Sequence, residues 1–95
     1  MIRRFANEET ERVWLGRRSR RLPPDIQPTA RRKLRQIDSS ERLDELRIPR
    51  GNRLEQLKGF TPLRYSIRIN DRWRITFLWS DGGVDDVRIE DYHRG

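Results

Sequence analysis

The chain has one histidine, His93, and it closes the run Glu90-Asp91-Tyr92-His93, in which two carboxylates, a phenol and an imidazole follow one another. Among unperturbed side chains, histidine is the one that changes charge between pH 5 and 8. Cutting RNA without a metal needs a base for the 2'-hydroxyl, cations for the charge growing on the phosphate, and an acid for the leaving 5'-oxygen. A single histidine excludes a two-histidine mechanism, so the second proton-transfer group has to be a carboxylate, a tyrosine, a lysine or water. Asp91 and Tyr92 are the immediate neighbours. Strict alternation along a strand through Val87 and Ile89 sends Asp91 and His93 to one face and Tyr92 to the other, so the three converge only if the strand ends or bulges near Asp91. The plainer alternative for the same residues is a frayed polar tail.

Metal chemistry is poorly supplied. Without cysteine there are no thiolate sites, and one histidine cannot build the usual histidine-rich zinc site. Asp85-Asp86 and Glu90-Asp91 are poor holders of a divalent ion, because adjacent strand residues point to opposite faces. No metal or other cofactor is expected.

The cations such a site needs are abundant. The formal charge is +7, and each Lys or Arg that neutralises a phosphate releases counterions, so nucleic acid is the first candidate partner. From Arg12 to Arg35 nine basic residues face one acid, Asp25, whereas from Gly51 onward eight bases nearly balance seven acids. Arg17, Arg18, Arg20 and Arg21 in a loop, with Arg31, Arg32 and Arg35 on the following helix, form a candidate surface for RNA phosphates; the alternative is a solvated loop and helix. Twenty of the 22 basic residues are arginines, a bias that genome composition alone can produce.

Positioning these groups requires a fold. At 95 residues, 33% hydrophobic and 39% charged, the chain has room for one core, built from apolar residues that recur periodically. One domain over residues 1–95 is expected. No run approaches the ~18 apolar residues of a membrane span, and Met1-Ile2-Arg3-Arg4 leads into acids, not an apolar signal region, so a cytoplasmic protein with no membrane partner is expected. Residues 2–5 suit a short strand. Asn7 suits an N-cap, Glu8, Glu9 and Glu11 suit the positive end of a helix, and Gly16 suits its end, giving a first helix from about Asn7 to Leu15. Asp25 can cap a second helix with Pro28 in its first turn, in which Ile26, Ala30, Leu34 and Ile37 make one apolar stripe. Residues 39–50 read as a partial turn of helix and a bend. Strands are expected over 54–58, 64–69, 73–80 and 84–90, an antiparallel meander.

Register follows from the apolar sets. Tyr65, Ile67 and Ile69 must share a face with Trp73, Ile75, Phe77 and Trp79; a two-residue turn at Asn70-Asp71 would put the two sets on opposite faces, so a three-residue turn at Asn70-Asp71-Arg72 is preferred. That register sets Arg68 opposite Arg74 on the other face, where two neighbouring guanidinium groups want an anion between them unless they lean into solvent. The two helices must cover the apolar face. An α+β fold results, with two N-terminal helices on one face of a four- to five-stranded antiparallel sheet.

In order and motif, the chain resembles the HigB group of RelE/ParE-superfamily toxins from bacterial toxin-antitoxin systems. The resemblance rests on Met1-Ile2-Arg3-Arg4-Phe5, on Asn52-Arg53-Leu54-Glu55-Gln56-Leu57-Lys58-Gly59, on the stretch from Tyr65 to Phe77, and on Ile89-Glu90-Asp91-Tyr92-His93. It implies a RelE-like fold and a toxin that enters the ribosomal A site of the 70S ribosome and cuts mRNA, leaving a 2',3'-cyclic phosphate and a 5'-hydroxyl. It also implies a neutralising HigA-type antitoxin with a helix-turn-helix domain, DNA being reached only through that complex. By the same resemblance, His93 and Asp91 handle protons, Tyr92 stacks on or orients the nucleotide, and Arg74 and Lys58 stabilise the phosphate. Arg68 joins them from the strand register alone. Two rivals remain: a ParE-like toxin that acts on DNA gyrase without chemistry, and a non-catalytic RNA- or ribosome-binding module.

Overall fold

The computed structural model describes residues 1–92. Asn7 opens the first helix, α1 (Glu8–Trp14), by accepting the Thr10 N–H on its side-chain oxygen at 2.9 Å, with three acids in the first turn. The helix ends where Gly16 turns to φ +77° and the amides of Gly16 and Arg17 reach back to Val13 and Arg12, the paired closure that glycine permits.

The second helix starts differently from the expectation. Pro24–Ile26 form a short 3-10 turn, and α2 runs Gln27–Ser39 with Ile26 at its N-cap and no side-chain cap. Asp25 therefore lies inside the preceding turn and does not cap α2; Pro23-Pro24 fixes that turn one step too early. Pro28 sits in the first turn as expected, and Ile26, Ala30, Leu34 and Ile37 are all buried. After α2, two 3-10 turns, Leu43–Arg47 and Arg50–Asn52, lead to the sheet.

The sheet has four antiparallel strands in chain order: β1 (Glu55–Leu57), β2 (Arg64–Arg68), β3 (Trp73–Ser80) and β4 (Gly83–Asp91). Tyr65 pairs with Phe77, Ile67 with Ile75 and Arg68 with Arg74, the register that the three-residue turn demands. Asn70 builds that turn by accepting the N–H groups of Arg72 and Trp73 at 2.9 and 2.7 Å. Ile67, Ile75, Phe77, Val84, Val87 and Ile89 pack under the two helices in one core. Val84 and Val87 both point inward although they stand three positions apart, an odd spacing. A register shift opposite residues 76–78, where Asp86 takes φ +51°, supplies the extra residue.

The N-terminal segment makes two isolated parallel bridges to β4, Ile2 with Val84 and Phe5 with Val87, and not a fifth strand. Through it and through Thr10, the outward amides of Val84, Val87 and Ile89 go to Met1 O, Arg4 O and Thr10 Oγ1. Among the described residues, no helix is long and apolar enough to cross a membrane.

Candidate functional site

A cleft of about 610 Å³ opens at the end of the sheet where β2 turns into β3, lined chiefly by Arg53, Glu55, Arg68, Arg72, Arg74 and Tyr92. Its central group is the Arg74 guanidinium. Strand alternation places Arg74 on the face away from the helices, beside Ser66 and Arg68, and the residue is almost fully buried at 6% exposure. Nε donates to Ser66 Oγ at 2.9 Å, Nη2 donates to the Arg53 carbonyl at 2.7 Å, and Nη1 lies 3.8 Å from the Glu55 carboxylate. The Tyr92 ring lies against the same guanidinium, 5.3 Å from its carbon, within range of a cation–π contact. A cation held from several sides in this way is fixed before any phosphate arrives, the condition under which a charge is most useful to a transition state.

The expected neighbour, Arg68, is here too, but it and Arg74 do not wait on an anion between them. Arg68 pairs with Asp71 of the turn, and Arg74 has Glu55 and neutral acceptors, so the sheet answers the like charges with its own acceptors. Tyr92 reaches the Arg74 side as alternation requires, and its backbone N–H bonds the Arg72 carbonyl at 2.6 Å. Asp91 pairs in register with Trp73 on the other face, and its carboxylate takes the Arg72 guanidinium at 2.7 Å. His93 lies outside the described residues. Lys58 is exposed in the turn after β1, five residue rows from the Arg68–Arg74 pair and so about 16 Å along the strands, and it does not line the cleft.

The candidate docking cations divide into two groups. Arg17, Arg18, Arg20 and Arg21 are exposed on a loop that is held from beneath: Gln27 accepts the Ser19 N–H and donates to the carbonyls of Ser19 and Leu22. On α2, Arg32 and Arg35 are exposed and Arg31 is half-buried; Arg31 donates to the Trp14 carbonyl and Arg35 lies over the Trp14 ring, so these two also serve packing between the helices.

Sequence reasoning missed Arg53 and Arg72 as cleft residues, and it missed Lys33. Lys33 is buried at 8% exposure and donates from Nζ to Asn52 Oδ1 at 2.6 Å. Asn52 is fully buried, and its amide donates in turn to Gln36 Oε1 and to the Leu46 carbonyl. This pair seats the turn that ends at Arg53, whose left-handed backbone aims its carbonyl at Arg74. Burial first, and then Arg32, Arg68 and Arg74 nearby, lower the Lys33 pKa below its ordinary 10.5. Between the lowered value and 10.5 the unfolded chain binds the extra proton, so this residue's contribution makes stability rise with pH across that window; below it both states are charged and the burial penalty is felt in full. Urea midpoints measured against pH should therefore rise less steeply in Lys33→Met than in the parent, and equal slopes would contradict the assignment.

The model of the RelE-like HigB toxins of type II toxin-antitoxin systems matches residues 3–93. This chain belongs to that family. The HigB-like chain is similar to Toxin HigB-1 of Vibrio cholerae serotype O1, with 41% identity over 66 residues that cover 70% of each chain. It is also 30% identical, over 70 residues, to an uncharacterized protein of Haemophilus influenzae, covering 74% of this chain and 69% of that one. The HigB-like match spans every residue that lines the cleft and reaches His93.

Proposed function

We propose that this HigB-like toxin is an endoribonuclease that cuts mRNA on the ribosome without a metal and thereby stops translation. The observation that carries the proposal is the Arg74 guanidinium, buried in a cation-rich cleft with an aromatic ring at its side. In the proposed reaction the 2'-hydroxyl loses its proton to a base, its oxygen bonds to phosphorus, and the bond to the 5'-oxygen breaks as an acid protonates that oxygen. A 2',3'-cyclic phosphate and a 5'-hydroxyl result. Arg74 and Arg68 answer the charge on the non-bridging oxygens, Tyr92 supports the nucleotide, and His93 moves a proton. Lys58 joins only if the bound RNA extends along β1.

Ribosome dependence follows from how little the cleft offers for orientation. One imidazole and an open, polar cavity make a weak free nuclease, and an mRNA already held in a decoding site supplies the alignment that the side chains lack. The exposed arginines at 17, 18, 20, 21, 32 and 35 would then dock ribosomal RNA phosphates, with the half-buried Arg31 contributing charge from the helix interface. A HigA-type antitoxin is the proposed neutralising partner.

The test is to map mRNA 5' ends in a translating cell-free extract, with the same RNA free of ribosomes in parallel. New internal 5'-hydroxyl ends on translated mRNA alone are expected. Unchanged ends and undisturbed protein synthesis, together with inhibition of DNA gyrase, would establish the gyrase alternative; equal cutting of naked RNA would remove the ribosome from the proposal.

A further inference from the structure

We infer that Asp91 and Arg72 form a clasp that sets the end of β4 against the cleft, so that Asp91 is a positioning residue and not a proton carrier. The inference rests on the ribonuclease reading for its kinetic consequences, and on geometry alone for the clasp. Nε and Nη2 of Arg72 both reach Asp91 Oδ2, at 2.9 and 2.7 Å. One residue on, the Tyr92 N–H reaches the Arg72 carbonyl, so side chain and backbone of Arg72 grip consecutive residues of the strand end. Arg72 is itself fixed from below, because Asn70 Oδ1 receives the amides of Arg72 and Trp73. The turn between β2 and β3 thus works as an anchor, and β4 is the part anchored.

Two observations argue against proton transfer by Asp91. Its carboxylate is already engaged by a guanidinium, accepting two charge-assisted bonds on Oδ2 from Nε and Nη2 of Arg72. It is also absent from the cleft wall: Asp91 pairs with Trp73 on the helix side of the sheet, whereas Arg74 and Tyr92 meet on the other side. What Asp91 can do from there is determine where Tyr92 lies.

Magnitudes separate the two roles. Losing an exposed ion pair shifts a local equilibrium about two- to fivefold, while losing a proton-transfer group costs about 10²–10⁴-fold. The experiment compares Arg72→Gln, Asp91→Asn, the double variant, and the exchange Arg72→Asp with Asp91→Arg. Each is assayed for cleavage of ribosome-bound mRNA across pH and for hydrogen exchange of the Tyr92 amide. Expected are matching losses of about two- to fivefold in kcat with KM unchanged, no shift of the pH profile, no further loss in the double variant, recovery in the exchanged pair, and faster Tyr92 exchange in both single variants. Loss of about a hundredfold or more in Asp91→Asn with a displaced pH profile, while Arg72→Gln stays at the parent rate, would overturn the clasp. So would a failure of the exchanged pair to recover, because Arg72 would then act on RNA directly. Should the parent chain cut no RNA, the ribonuclease reading fails, and Tyr92 exchange still decides the clasp: unaltered protection in Arg72→Gln refutes it.

Discussion

Arg74→Ala is expected to lower cleavage of ribosome-bound mRNA about 10²–10³-fold, the loss typical of removing one preorganised donor from a developing negative charge. The guanidinium is the only cleft cation among the described residues that is nearly fully buried, and it is held from strand β2, from the Arg53 carbonyl and from the Tyr92 ring. An alanine leaves the charge on the phosphate to the less buried Arg68 and the site free to admit water. Arg74→Lys separates charge from shape: the ammonium keeps the charge but cannot bond Ser66 Oγ and the Arg53 carbonyl as a planar fork does, so its activity should fall between the two. Ribosome binding, which is proposed to come mainly from the exposed arginines, should survive in both. Because Arg74 also ties strand to turn, thermal melting must accompany the assay. Cleavage within about threefold of the parent in a folded Arg74→Ala chain, against the 10²–10³ expected of such a donor, would remove Arg74 from the chemistry and leave it a structural residue.

The second large effect is on stability. Asn52→Ala should cost about 3–5 kcal/mol, because it strands a buried ammonium as well as the Leu46 carbonyl. The charged partner dominates: a neutral buried group without a partner costs about 1–3 kcal/mol, and a charged one more. Guanidinium unfolding measures it, and the double variant Lys33→Met with Asn52→Ala checks the cause. Removing the ammonium together with its acceptor should cost clearly less than the two single losses added. Strict additivity would show that Lys33 and Asn52 do not depend on one another.

The sheet was readable from sequence because its alternation is regular and its turn is short: a three-residue connection, unlike a two-residue one, puts Ile67 and Ile75 on one face, and that same rule found Arg68 beside Arg74. The helix stripe was readable for a similar reason, yet Lys33 was passed over although it falls on that stripe, three residues after Ala30 and four before Ile37. Residue type hid it, since a lysine at an apolar position is ordinarily assumed to reach solvent. Its acceptor, Asn52, lies nineteen residues away in a segment with no periodicity. Arg53 and Arg72 were missed because both leave loops whose aim is set by a left-handed residue and by an Asn side chain, neither of which leaves a repeating pattern. For the closing motif, alternation correctly sent Tyr92 toward Arg74 and Asp91 away from it. The spacing of Val84, Val87 and Ile89, three and then two, was a legible sign of the extra residue at Asp86.

The satisfied outer amides of β4 have a consequence for how anything neutralises this toxin. A peptide that recruits a sheet by lengthening it needs a row of vacant backbone groups. On this molecule one flank is sheathed by residues 1–6 and Thr10, and the opposite flank offers just the three residues of β1. An inhibitor is thereby steered toward side chains and surfaces, where it must match shape and charge instead of borrowing the generic affinity of main-chain pairing.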